Sequence, residues 1–243
     1  MKALLEARGL EVYYGPVQAL RGVSLEVREG EMVALVGANG AGKTTTLRTL
    51  SGMLAPRAGS ITFGGKRIDG LPPYAVVGHG LAHVPEGREL FGAMSVEENL
   101  RLGYYSTRRA AEYDKRADEV MGYFPILRER AAQASATLSG GEQQMLVVAR
   151  ALMSAPKLLL VDELSLGLAP KIVAQLFEIL SAVNERGTAV VLVEQFVHMA
   201  LGNTDRAYVL QKGAVVAEGA SRLLLNDESL VASYLGEADT AGR

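Results

Sequence analysis

Apolar residues along this 243-residue chain follow two periods, and the switch between them divides the sequence. Residues 1–30 read as short strands, with alternation through Leu20, Val23, Leu25 and Val27 before a polar turn at 28–31. Met32–Val36 is then continuously apolar, the pattern of a strand covered on both faces in a parallel sheet. It leads through a glycine-rich loop into a predicted helix, Lys43–Leu50, which Gly52 stops. A small hairpin is expected around Gly64 and Gly65, and a strand at Leu81–Val84 is halted by Pro85.

From about Glu86 to Ser154 only helical patterns remain. Ser95 with Glu98 forms a capping box, and residues 108–124 predict a charge-laced helix ended by Pro125. A second box, Ser139 with Glu142, opens a helix over 143–153 that Pro156 terminates. Strands return at 158–161 and 188–193. They flank a helix over 171–186, with Pro170 at its start, Gly187 after its end, and Ile172, Val173, Leu176, Phe177, Leu180 and Val183 on one face. Residues 208–218 predict a hairpin turning at Lys212-Gly213, and two short helical pieces and a polar tail, 237–243, finish the chain. The pattern implies an α/β fold: a parallel core from residues 1–85 and 155–243, interrupted by a helical insert at 86–154 within a single domain.

Composition narrows the class. A net charge of −2 lacks the basic face of a nucleic-acid binder, so no nucleic-acid partner is expected. With no cysteine there is no disulfide framework, thiolate metal site or thiol nucleophile, which suits a reducing compartment, and the first residues show no apolar core of a signal peptide. A mean hydropathy of +0.14 leans apolar, yet the longest apolar runs are far short of the roughly 20 residues that span a bilayer. Either the core is generous or part of the surface belongs against another protein.

Gly37-Ala38-Asn39-Gly40-Ala41-Gly42-Lys43-Thr44 matches the phosphate-binding loop pattern between a buried strand and a helix. Its glycines let successive N–H groups point inward as an anion nest, Lys43 reaches the β- and γ-phosphates, and Thr44 offers a hydroxyl to Mg²⁺. Thr45 completes the nucleotide-binding set. Leu158–Asp162 followed by Glu163 is an apolar strand ending in two acids, where a parallel sheet presents groups to a ligand. Asp162 is expected to hold Mg²⁺ through water, and Glu163 to orient or deprotonate the attacking water. Leu138, Ser139, Gly140, Gly141 and Glu142 open a second helix whose free N–H groups suit an anion, and the chain holds a single phosphate loop. That second helix start is best explained if it completes the site of a neighbouring chain.

Together these three segments resemble the nucleotide-binding subunits of ABC transporters, over nearly the whole chain. The resemblance implies a P-loop NTPase core with an antiparallel β subdomain and an inserted α-helical subdomain, ATP and Mg²⁺ as ligands, and ATP-driven head-to-tail dimerisation. Ser139 and Gly141 then touch the γ-phosphate across the dimer, and Tyr14, with Tyr13 as its competitor, stacks on adenine. HVPEGRELF at 83–91, SVEENL at 95–100, SLGLAP at 165–170 and VEQ at 193–195 are similar to the LivF-type ATPases of high-affinity branched-chain amino acid importers. That closer likeness implies two permease subunits, a periplasmic solute-binding protein, and a second, LivG-type ATPase or a second copy of this chain. It places the chain peripherally on the cytoplasmic face of the inner membrane.

Three positions depart from the wider family pattern. Glu86 stands where most members have a glutamine that ligates Mg²⁺, Gln195 stands where most have a switch histidine, and Ala169 replaces an aspartate. Gln195 can still donate to a γ-phosphate but cannot become a cation. Leu164 replaces a proline, without evident reason in the sequence. Urea- or amide-type importers more often carry Gln at the Glu86 position, and a soluble ABC-type ATPase acting on ribosomes or DNA typically fuses two cassettes or inserts coiled coils. Leu90, Phe91 and Met94 are expected to face a membrane partner.

Overall fold

The computed structural model describes residues 2–105 and 110–227. The start of the helix expected at 108, the last predicted helical piece and the polar tail lie outside the described residues. Strands β1 (Ala3–Tyr14) and β2 (Val17–Arg28) pair antiparallel. Each is twelve residues long rather than a set of short strands, because register shifts between Ala7 and Leu10 interrupt the alternation without ending the ladder. β3 (Met32–Val36) is buried throughout and delivers the chain to α1 (Lys43–Leu50). β4 (Ala58–Phe63) and the short β5 (Lys66–Arg67) complete a four-stranded antiparallel sheet in the order β2-β1-β4-β5.

A helix absent from the sequence reading, α2 (Pro73–Gly78), precedes β6 (Leu81–Val84); its prolines sit at the start, where no N–H is needed. Four α-helices follow among the described residues: α3 (Val96–Tyr104), α4 (Tyr113–Tyr123), α5 (Pro125–Glu129) and α6 (Gly140–Leu152). Pro125 begins a helix as well as closing one, again because the first turn tolerates its missing donor. Both predicted capping boxes form, and α6 starts at Gly140, three residues before the expected start, since the cap at Ser139 sets the first turn.

β7 (Leu158–Asp162), α7 (Pro170–Glu185), β8 (Ala189–Val193), α8 (Val197–Gly202), β9 (Arg206–Gln211), β10 (Ala214–Ala220) and α9 (Ser221–Leu225) complete the described chain. The β9–β10 hairpin turns at Lys212-Gly213, both left-handed, as a two-residue turn with matching twist requires. The second sheet runs β10-β9-β3-β8-β7-β6, parallel except for β10. Its strands alternate between two cores. Leu159, Val161, Val190 and Leu192 pack against the helices, while Leu158, Leu160, Val191 and Val193 pack toward the antiparallel sheet and α1. Burial on both faces accounts for the unbroken apolar runs. Leu164 is sealed in the helix-side core, which supplies a reason for an apolar residue there.

Between α3 and α6 lies a polar hub. Asn99, fully buried, accepts from the Phe91 N–H at 3.2 Å and donates to the carbonyls of Phe91 (3.2 Å) and Ser95 (2.9 Å) and to Ser135 Oγ (3.2 Å). Ser135 Oγ in turn donates to Phe91 O at 2.9 Å, and Ser135 O accepts from Gln143 Nε2 of α6. Asn99→Ala strands several buried donors and acceptors at once, so urea unfolding should show a loss of about 3 kcal/mol, at the upper end for an unmade buried network.

Candidate functional site

Four adjacent parallel strands bring their carboxyl ends to one cleft: β6 with Glu86, β7 with Asp162 and Glu163, β8 with Gln195, and β3 with the loop to α1. The cleft is open, about 670 Å³, and its lining includes Tyr14, Asn39, Lys43, Thr45, Glu163 and Gln195. Its position follows from topology, because the ends of neighbouring parallel strands all face one edge.

The loop is shaped by contacts behind it. Gly42 has φ +111° and caps α1 without a side chain, a conformation that L residues avoid. A Cβ at Gly37 would collide with the Leu210 carbonyl, so the backbone of β9 touches the loop directly. Gly213, in the β9–β10 turn, donates to Ala41 O at 2.9 Å and accepts from Arg21 N at 2.7 Å. Lys43 is buried, and its Nζ donates to Gly37 O (2.8 Å) and Ala38 O (3.2 Å). Burial pulls its pKa down, against the pull of Glu163 and Asp162.

Asp162 is 1% exposed; Oδ1 accepts from Thr44 Oγ1 at 3.3 Å, and Oδ2 has no partner. Burial, with Glu163 and Glu86 nearby, pushes its pKa up to about 6 against the hydrogen bond from Thr44. An orphaned buried carboxylate oxygen beside a hydroxyl fits a hard cation, which lowers the cost of ionising the acid. Magnesium is commonly held by one or two carboxylates plus substrate phosphates and water, so the small donor set of Thr44, Asp162 and exposed Glu86 is suited to it.

Glu163 has a left-handed backbone, φ +47°, and its N–H donates to Val193 O at 2.9 Å. That turn carries its carboxylate into the cleft, where Oε1 accepts from Gln195 Nε2 at 3.4 Å. Gln195 Nε2 also donates to Asn39 Oδ1 at 3.2 Å, so one amide bridges the phosphate loop and the acid. Asn39 was expected only as a loop residue; its role as Gln195's partner had no local signal in the sequence. Tyr14 is exposed at the cleft mouth with its hydroxyl 3.5 Å from Thr45 Oγ1, while Tyr13 lies under the Arg57 guanidinium at 4.9 Å. His198 is exposed on α8 and does not line the cleft.

Leu138, Ser139, Gly140, Gly141 and Glu142 do not line this cleft. Glu142 completes the cap on Ser139 and is paired with Arg130 at 3.1 Å. Gly140 leaves room for the Arg88 guanidinium, whose Nη1 would stand 2.8 Å from a Cβ there, and Gly141 faces Ile172. Ser139 itself is exposed, with its Oγ accepting from the Glu142 N–H at 3.4 Å.

The ABC transporter family model matches residues 20–165. The chain is 48% identical over 227 residues to the high-affinity branched-chain amino acid transport ATP-binding protein BraG of Pseudomonas aeruginosa, covering 93% of this chain and 97% of that protein. Among solved structures it is similar to an ATP-binding cassette of an ABC transporter in its ADP conformation, with a TM-score of 0.84, 25% identity, and 95% and 98% of the two chains covered. A dimeric ATP-binding cassette bound to ADP and Pi superposes with a TM-score of 0.80 at 26% identity, covering 90% of this chain and 99% of that one. With the phosphate loop, the Ser139 helix start and the Asp162-Glu163 pair all inside the matched span, the chain belongs to the ABC transporter family and is one of its ATPases.

Proposed function

We propose that this ATPase powers import of branched-chain amino acids through a membrane permease, at the cytoplasmic face of the inner membrane. The 48% identity to BraG across nearly the full length of both chains carries the solute assignment. No helix among the described residues is long and apolar enough to cross a membrane, so in this reading other subunits supply the path. Two permease subunits supply that path, working with a periplasmic solute-binding protein and a second ATPase of LivG type or another copy of this chain.

In this reading Tyr14 stacks on adenine and residues 37–45 wrap the phosphates. Lys43 exchanges its loop carbonyls for β- and γ-phosphate oxygens. Thr44, Asp162 and Glu86 would hold Mg²⁺, which when bound screens the phosphate charge. Glu163 accepts a proton from the water that attacks the γ-phosphorus in line, and ADP leaves. Gln195 donates to the γ-phosphate while holding Glu163 and Asn39 in register. Leu138 to Glu142 reach the nucleotide of the facing subunit through backbone N–H groups, consistent with their place outside this chain's own cleft. The helices of 86–154 act as a subdomain that tilts with the bound phosphate.

Phe91 and Met94 are 56% and 37% exposed, and Leu90 beneath them packs on the helix-side core. The buried strands take up part of the apolar composition, and we assign this exposed patch to permease contact. The test is the complex isolated from membranes, assayed for ATP turnover with the solute-binding protein and leucine, isoleucine, valine or urea. Stimulation by the three branched-chain amino acids is expected, and Phe91→Asp should abolish it while leaving basal turnover and nucleotide binding in place. Stimulation by urea alone, or an unaffected Phe91→Asp complex, overturns the respective assignment.

A further inference from the structure

Glu194 sits one residue before Gln195 and is 1% exposed. Both of its carboxylate oxygens are engaged by one residue of the loop after β7: the Ser165 N–H donates to Oε1 at 3.0 Å, and Ser165 Oγ donates to Oε2 at 2.6 Å. A buried charge of this kind is costly to place and survives only where its bonds are well made. Burial raises its pKa, and the two Ser165 bonds act against that rise.

The two loops are cross-linked in three places. Glu163 N meets Val193 O, Ser165 grips Glu194, and Glu163 Oε1 meets Gln195 Nε2. The first lies at the end of the sheet ladder and the third is long, at 3.4 Å, so the Ser165–Glu194 pair is the firm link beyond the sheet. On its other side, Ser165 borders a cavity of about 690 Å³, lined also by Leu168, Phe177, Phe196 and Met199. Leu168, Phe177 and Met199 of this wall also join the helix-side core, so the cavity is an opening in the packing beside the loop. Past Ser165 the chain is exposed at Leu166, Gly167 and Ala169.

We propose that Glu194 is a positioning residue for hydrolysis: it clamps Ser165 so that Glu163 and Gln195 keep the spacing the reaction needs, and it passes displacements of the exposed loop at 166–169 to Gln195. This rests on the reading of Glu163 and Gln195 as hydrolytic groups. Neither Glu194 nor Ser165 lines the nucleotide cleft, so the clamp should act on turnover rather than on affinity.

The test uses the full chain in its assembled complex, with Ser165→Ala, Glu194→Ala and Glu194→Gln. Ser165→Ala should lower kcat about tenfold, the scale of one charge-assisted bond, with KM for ATP within twofold. Glu194→Ala should lower kcat further. Glu194→Gln, which keeps an acceptor for the Ser165 N–H and can donate to Ser165 Oγ, should stay within about threefold of the parent, as a satisfied neutral pair permits. If Glu194→Ala does not fold, Ser165→Ala decides the matter. A kcat within twofold of the parent for Ser165→Ala, or a loss carried by KM, overturns the proposal. A second readout does not depend on turnover: hydrogen exchange with a non-hydrolysable ATP analogue. In the parent, segments 163–168 and 193–197 should gain protection together, and in Ser165→Ala only the second should. Joint protection in both proteins overturns the clamp, and if the parent hydrolyses no ATP, the assigned function fails while this exchange comparison still decides the clamp.

Discussion

Glu163→Gln should cut ATP turnover by a factor of about 10² to 10⁴, the range for removing a positioned general base, with ATP binding preserved. The amide is close in size and keeps one oxygen to accept from Gln195, now 3.4 Å away, so the cleft geometry should survive. What is lost is the ability to take a proton from water. Nucleotide then persists uncleaved, and because the dimer is expected to close around ATP, the variant should accumulate as an ATP-bound dimer. Size-exclusion chromatography with Mg-ATP, read beside phosphate release, checks both halves. Turnover within threefold of the parent would assign the proton to another group, and Asp162 is poorly placed for it, being sealed and bonded to Thr44.

Lys43→Ala should weaken ATP binding roughly 10- to 100-fold, corresponding to the 1.5–3 kcal/mol of a hydrogen bond to a charged group. Two effects combine. The phosphates lose a cation, whereas the carbonyls of Gly37 and Ala38, which Lys43 leaves on binding, add nothing to the loss. Asp162 and Glu163 also lose the positive charge that offsets theirs. Equilibrium binding of a fluorescent ATP analogue measures the loss, and Lys43→Arg separates the effects. It restores charge in a larger, planar group that cannot reproduce the compact ammonium in the loop, so affinity should recover only in part.

Much of this site could be read locally. The phosphate loop announces itself because its glycines, lysine and threonine are consecutive, and each is demanded by the backbone path around an anion. The caps at Ser95 and Ser139 were legible for the same reason, being bonds between residues three apart. The buried strands were legible as unbroken apolar runs. Contacts across long separations were not. Ser165 and Glu194 are 29 residues apart, Asn99 and Ser135 are 36 apart, and Asn39 and Gln195 are 156 apart. Several of these residues fall in motifs the sequence marks, yet none reveals its partner until the fold sets the two side by side. The short helix at Pro73–Gly78 escaped because six residues hold too few turns for a period to appear, and its leading prolines read as breakers.

The hairpin turn at Lys212-Gly213 has a thermodynamic consequence. Because Gly213 bonds the phosphate loop through Ala41 and bonds β2 through Arg21, and the Leu210 carbonyl abuts Gly37, the loop is held in shape by strands on both sides. Its conformational entropy is surrendered when the protein folds, so an arriving nucleotide has little of the loop left to order. Binding energy that a floppy loop would spend on its own immobilisation remains to favour association between subunits.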